Sequence, residues 1–181
     1  MNLKHACIFV LFVLLYSCSG KQQQQQLTQI TNLEKSIYGN TKTEFNRNEA
    51  MSLVTAYYEF AKDYPEDEHS SSFLFNAGEV AMGLMKSKKA IEYFQLVYKD
   101  YPEYDKASTA MFLEGFVYET QLNNLSMAQK IYLDFLKKYP DHSLANDAQF
   151  SLNNLGKSDE EIIKEFEKKI QEQEENKTAA Q

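Results

Sequence analysis

The chain has only three prolines, and each follows a tyrosine: Tyr64-Pro65, Tyr101-Pro102 and Tyr139-Pro140. They stand 37 and 38 residues apart. Proline lacks a backbone donor and biases the residue before it out of the helical region, so each pair marks a helix end. A helix stop recurring at a nearly fixed interval restricts the chain to a row of similar units, and the interval lies in the range of stacked helical repeats.

Aligned on the prolines, the segments before them, 53–64, 90–101 and 128–139, become similar. Ile91, Phe94, Val97 and Tyr98 in one and Ile131, Tyr132, Phe135 and Leu136 in the next recur at helical spacing. The segments after the prolines also correspond, as Phe73-Leu74-Phe75, Ala110-Met111-Phe112 and Ala148-Gln149-Phe150 show. Asn46-Arg47-Asn48-Glu49, Ser126-Met127-Ala128-Gln129 and Ser158-Asp159-Glu160-Glu161 fit the capping-box pattern and predict helices starting near residues 47, 127 and 159. No stretch alternates convincingly as a strand would. The expected fold is all-α: a right-handed solenoid of antiparallel helix pairs, about three to four in number, ended by a capping helix. That last helix, from Glu160 to about Glu174, carries Ile162, Ile163, Phe166 and Ile170 on one face and charges elsewhere.

These residues resemble the tetratricopeptide repeat. Its pattern has a small residue in the first helix, an alanine and an aromatic in the second, and a closing proline. One unit supplies Gly78, Ala90, Phe94 and Pro102; the next supplies Gly115, Tyr118, Ala128, Tyr132 and Pro140. The resemblance implies that Gly and Ala stand where paired helices approach closely, with the aromatic filling the space beside them. Leu74 and Met111 replace the family's tryptophan, Ala77 and Glu114 its leucine, and Asn153 takes the glycine position in the third unit. The longer units ending in Tyr-Pro-acidic are similar to repeats of bacterial cell-envelope lipoproteins, including those of the β-barrel assembly machinery and the Tol-Pal periplasmic coordinator.

The N-terminus is read separately from the fold. Lys4 precedes an apolar run over 6–16 and the small-residue stretch Ser17-Cys18-Ser19-Gly20. A run of about a dozen residues is short for a bilayer core of about 30 Å, so residues 1–17 read as a secretory signal peptide. Leu15-Tyr16-Ser17-Cys18 resembles the lipobox of bacterial lipoproteins, which implies cleavage before Cys18 and acylation of that cysteine. Residues 18–26, with glutamines at 22–26, read as the lipidated cysteine and a polar tether. Leu27, Ile30, Leu33 and Ile37 predict a short amphipathic helix ending near Gly39, followed by a linker, over 27–44. The solenoid is expected over 45–175 and a disordered tail over 176–181.

Loss of Lys4 with residues 1–17 moves the formal charge from -7 to -8, which argues against nucleic acid as a partner. His69 and His142 each fall in the loop just after a Tyr-Pro turn, and neither is accompanied by the convergent ligands a metal needs. No nucleophile-elbow, phosphate-loop or dinucleotide glycine pattern occurs. The expectation is therefore a non-enzyme without cofactor or metal. Phe75, Phe112 and Phe150 share one place in successive first helices, with Phe116, Glu79 and Glu119 beside them. In the resembled family that side lines a concave groove for partner segments; alternatively, such rings pack between helices. Two functions follow as expectations. One is an adaptor holding envelope proteins together at the outer membrane, facing the periplasm, as an accessory to outer-membrane protein assembly. The other is a carrier of peptide or glycan for an uptake system, with the phenylalanine row as platform.

Overall fold

The computed structural model describes residues 3–39 and 46–179, excepting the side chains of 3–19, 159, 175 and 177–179. The described residues form eight helices and no strand: α1 Leu3–Tyr38, α2 Arg47–Asp63, α3 Ser70–Gly83, α4 Ser87–Asp100, α5 Ala107–Thr120, α6 Leu125–Lys138, α7 Ala145–Asn154 and α8 Asp159–Ala179. From α1 to α7 each helix packs on the next one in the chain, which is the arrangement of a solenoid of helix pairs.

The Tyr-Pro stops adopt one conformation three times. Tyr64, Tyr101 and Tyr139 lie at φ/ψ of -132/63, -127/59 and -132/58, outside the helical region. Each tyrosine N–H still donates to a carbonyl four residues back, at Phe60, Val97 and Phe135, and each tyrosine carbonyl then accepts from Asp67, Tyr104 or His142. An identical turn therefore relaunches α3, α5 and α7. His69 and His142 serve this turn. The His69 backbone N–H donates to Asp67 Oδ1 at 2.8 Å, and His142 Nδ1 accepts from the Leu144 N–H at 3.1 Å.

The capping boxes are realised unequally. At α2 the Asn46 side chain accepts from the N–H groups of Asn48 and Glu49. At α8 the box is reciprocal, with Ser158 Oγ accepting from Glu161 N and Glu161 Oε2 from Ser158 N. The α6 start differs from expectation. Asn124, not Ser126, caps it by accepting from the Met127 N–H, and the helix begins at Leu125.

Two further expectations change at the ends. The segment read as a tether is helical, and α1 runs through it without a break. Gln23 donates to Asp67 at 2.6 Å and Gln26 to Asp63 at 2.8 Å, so the glutamines bind the α2 end and the turn after it. Ile30 is fully buried, while Leu27, Leu33 and Ile37 pack against the same core. The stretch 27–38 is thus not a separate appendage: α1 is the first helix of the solenoid, paired with α2. Residues 40–45 of the expected linker lie outside the described residues. At the other end, α7 stops at Asn154 before Gly156, whose φ of 82° suits glycine. The terminal helix α8 is present but leaves Ile163, Phe166 and Ile170 about half exposed. It reaches Ala179, into the stretch read as a tail; residues 180–181 lie outside the described residues.

Candidate protein-interaction face

Because the chain doubles back at every turn, alternate helices fall on the same side. A cleft lies between α1 and α3, and a separate groove between α2 and α4. The first helices of the pairs, α1, α3, α5 and α7, therefore present one face, and the second helices present the other.

Close packing within each pair determines what that face can show. A Cβ on Gly78 would meet the Phe94 ring at 2.5 Å, and one on Gly115 would meet Tyr132 at 2.8 Å and Ile131 at 3.3 Å. Ala90, Phe94, Ala128 and Tyr132 are completely buried at these crossings. Tyr118 is half-buried and touches both core clusters, joining the units on either side. Pro102 and Pro140 sit in the turns that end α4 and α6.

The phenylalanine row turns inward rather than outward. Phe75 is 2% exposed, with its ring centroid 6.0 Å from Phe94 and 6.2 Å from Tyr104. Phe112 is half-buried, 5.5 Å from Tyr132 and 5.8 Å from Phe135. Phe150, 48% exposed, stacks with Phe166, 6.3 Å away. These equivalent rings all lean toward the second helix of their own unit, and their burial falls toward the C-terminal end. As binding-groove residues, Phe75 is corrected to core and Phe112 to a half-buried ring packed against the core. The surface retains Phe116, at 39% exposure, and Glu79, while Glu119 is half-buried and accepts a 2.7 Å hydrogen bond from the Tyr132 hydroxyl.

Three tyrosine–carboxylate pairs recur along the molecule, and sequence reading did not anticipate them. Tyr57 donates to Glu34 at 2.6 Å, Tyr98 to Glu114 at 2.7 Å and Tyr132 to Glu119 at 2.7 Å. Burial pushes all three phenols up from their ordinary range, and the hydrogen bond to the carboxylate pushes further in the same direction. Glu114 is the extreme case. It is fully buried between α4 and α5, with Gln95 Nε2 donating to its second oxygen at 2.6 Å. The one available signal was its place at the leucine position of the repeat pattern.

Among the described residues, no group of His, Cys, Asp and Glu side chains is arranged to hold a metal ion, and no helix is long and apolar enough to cross a membrane. The lipidation expected at Cys18 concerns a side chain outside those described.

Comparison with protein families matches the tetratricopeptide repeat at residues 73–104 and 109–142, the units built from α3–α4 and α5–α6. Each matched segment covers one helix pair and ends at or just beyond its Tyr-Pro turn. No curated protein matches the chain.

Proposed function

We propose that this chain, a tetratricopeptide-repeat protein, is a non-catalytic adaptor of a bacterial cell envelope. It gathers other envelope proteins on the face formed by its first helices. Tetratricopeptide repeats generally serve as protein-interaction modules and typically carry no catalysis, and two successive helix pairs match that family. The observation that carries the reading is the exposure of Phe116 and Glu79 on the first helices of those two matched units, although neighbouring aromatic residues are packed away. Exposed aromatic residues are enriched among the positions that dominate interface energy. Phe75 is buried and Phe112 half-buried, which breaks the continuous aromatic platform on which a peptide or glycan carrier would depend, and this favours the adaptor.

The envelope setting rests on the N-terminal sequence. Residues 1–17 direct secretion, and Cys18, after Leu15-Tyr16-Ser17, carries the acyl chains. Several chains together hold a protein on a membrane where a single one is marginal. Ser19 following the cysteine, in place of the aspartate that usually retains such lipoproteins at the inner membrane, supports the periplasmic side of the outer membrane. There the adaptor would serve as an accessory to outer-membrane protein assembly.

Two measurements test the proposal. Cys18→Ser should leave the membrane fraction and appear in the periplasm with unchanged helical content; labelled palmitate retained by the variant would refute the anchor. Crosslinked purification should recover envelope proteins with the wild-type chain and lose them with Phe116→Ala at unchanged stability. Equal recovery by both chains would place the binding surface elsewhere.

A further inference from the structure

The first-helix face contains an open cleft of about 630 Å3 between α1 and α3. Its walls bring together carboxylates from two helices, Glu34 of α1 and Glu79 of α3, with the Tyr57 phenol, the Asn76 amide and the Tyr38 ring around them. Tyr57 occupies one oxygen of Glu34. The ion pairs among the described residues involve Lys62, His69, Lys157 and Lys168, so none of them neutralises Glu34 or Glu79, and Arg47, the cation held at the lining, donates to the Leu84 carbonyl at 2.9 Å. Both charges act on one point: burial first, then Glu34, then Glu79 push the Tyr38 phenol up. Val80 and Leu84 form an apolar part of the lining.

Like charges lining a concavity with low-dielectric walls focus their field into it and favour entry of the opposite charge. Here the surroundings also specify the shape of the visitor. An apolar lining beside two acceptors matches a side chain with a methylene stem and a terminal cation. Such a cation would make charge-assisted hydrogen bonds to both carboxylates, and these are stronger than neutral ones.

We propose that this cleft is a specificity pocket that takes one lysine or arginine side chain from an extended segment of a partner protein. Its stem lies on Val80 and Leu84, and its cation lies between Glu34 and Glu79. The inference rests on the first-helix face being the partner-binding surface, and it names the chemistry of what docks there.

A display library of random dodecapeptides, selected on the full-length chain, tests it. Selected peptides should share a lysine or arginine at one position, and their binding should weaken as salt is added. Glu34→Gln combined with Glu79→Gln keeps an acceptor for the Tyr57 hydroxyl but removes both charges, and should weaken binding by about tenfold or more. Gly83→Met provides a second test. Gly83 lines the cleft, and a Cβ there meets nothing within 4 Å, so the new side chain can fill the cleft without disturbing the packing. It should block binding at unchanged melting temperature. Peptides selected without a basic preference, or bound equally by these variants, would overturn the pocket but leave the interaction face standing. Failure of the wild-type chain to select any peptide would overturn both.

Discussion

Glu114 offers a sharp test of how the repeat units are joined. Its carboxylate is fully buried and accepts from Tyr98 and Gln95, both on α4, whereas Glu114 itself lies on α5. The pair of bonds therefore crosses the boundary between two repeats. Glu114→Leu restores the residue type of the tetratricopeptide pattern but strands two donors. An unsatisfied buried donor costs about 1–3 kcal/mol. Tyr98 and Gln95 are only half-buried and can turn partly to water, so the lower part of that range applies to each. The expected loss is about 2–4 kcal/mol, a fall of about 5–15 °C in Tm for a chain of this size. Because repeat arrays are held by nearest-neighbour interfaces, urea unfolding followed by circular dichroism should broaden or split as α1–α4 and α5–α8 lose their coupling. Adding Tyr98→Phe should recover much of the loss, since replacing a buried polar pair by apolar groups is often neutral or stabilising. A Glu114→Leu chain melting at or above wild type in one sharp step would refute the reasoning.

Three other outcomes are expected. Gly115→Leu places a side chain against the Tyr132 ring, 2.8 Å from the position of its Cβ, and should cost about 1–3 kcal/mol in overpacking; thermal melts at or above wild type would contradict that crossing. Phe112→Ala and Phe116→Ala should separate: the first, a half-buried ring, should lose about 2–3 kcal/mol of stability, somewhat less than a fully buried phenylalanine, whereas the second should melt nearly as wild type, and equal losses would show both rings to be core. The third concerns alkaline pH. Tyr57, Tyr98 and Tyr132 are raised above their ordinary value of 10.0, so the unfolded chain releases these protons first. Their contribution to stability is intact below about pH 10 and is lost as pH rises beyond it toward the folded values. Urea midpoints should therefore fall between about pH 9 and pH 11.5, and less so in a Tyr98→Phe chain; midpoints flat across that interval would rule the effect out.

Much of the architecture is legible in the sequence because its causes are local. A proline after a tyrosine stops a helix wherever it stands, so three such pairs at near-equal spacing announced the repeat and its phase. Gly78 and Gly115, read against Phe94 and Tyr132, located the close crossings, since a missing side chain opposite a large ring has a steric reason that survives into the fold. The glutamine run was misread for the converse reason. Composition records the polarity of residues 22–26, but their docking depends on Asp63 and Asp67, some forty residues away. The phenylalanine row failed similarly. Periodicity places Phe75, Phe112 and Phe150 at one register position, yet a register does not say whether a neighbouring helix covers it, and exposure rises from 2% at Phe75 to 48% at Phe150. The acidic cleft lay furthest from sight. Glu34 and Glu79 are separated by the whole of α2 and the connecting segments on either side of it, and only the packing of α1 on α2 and of α2 on α3 brings their charges onto one face. Helices, turns and repeat phase are written in short-range stereochemistry and were determined by the sequence alone. Which rings are covered and which charges converge depended on how the helices stack, and that was decided only by the tertiary structure.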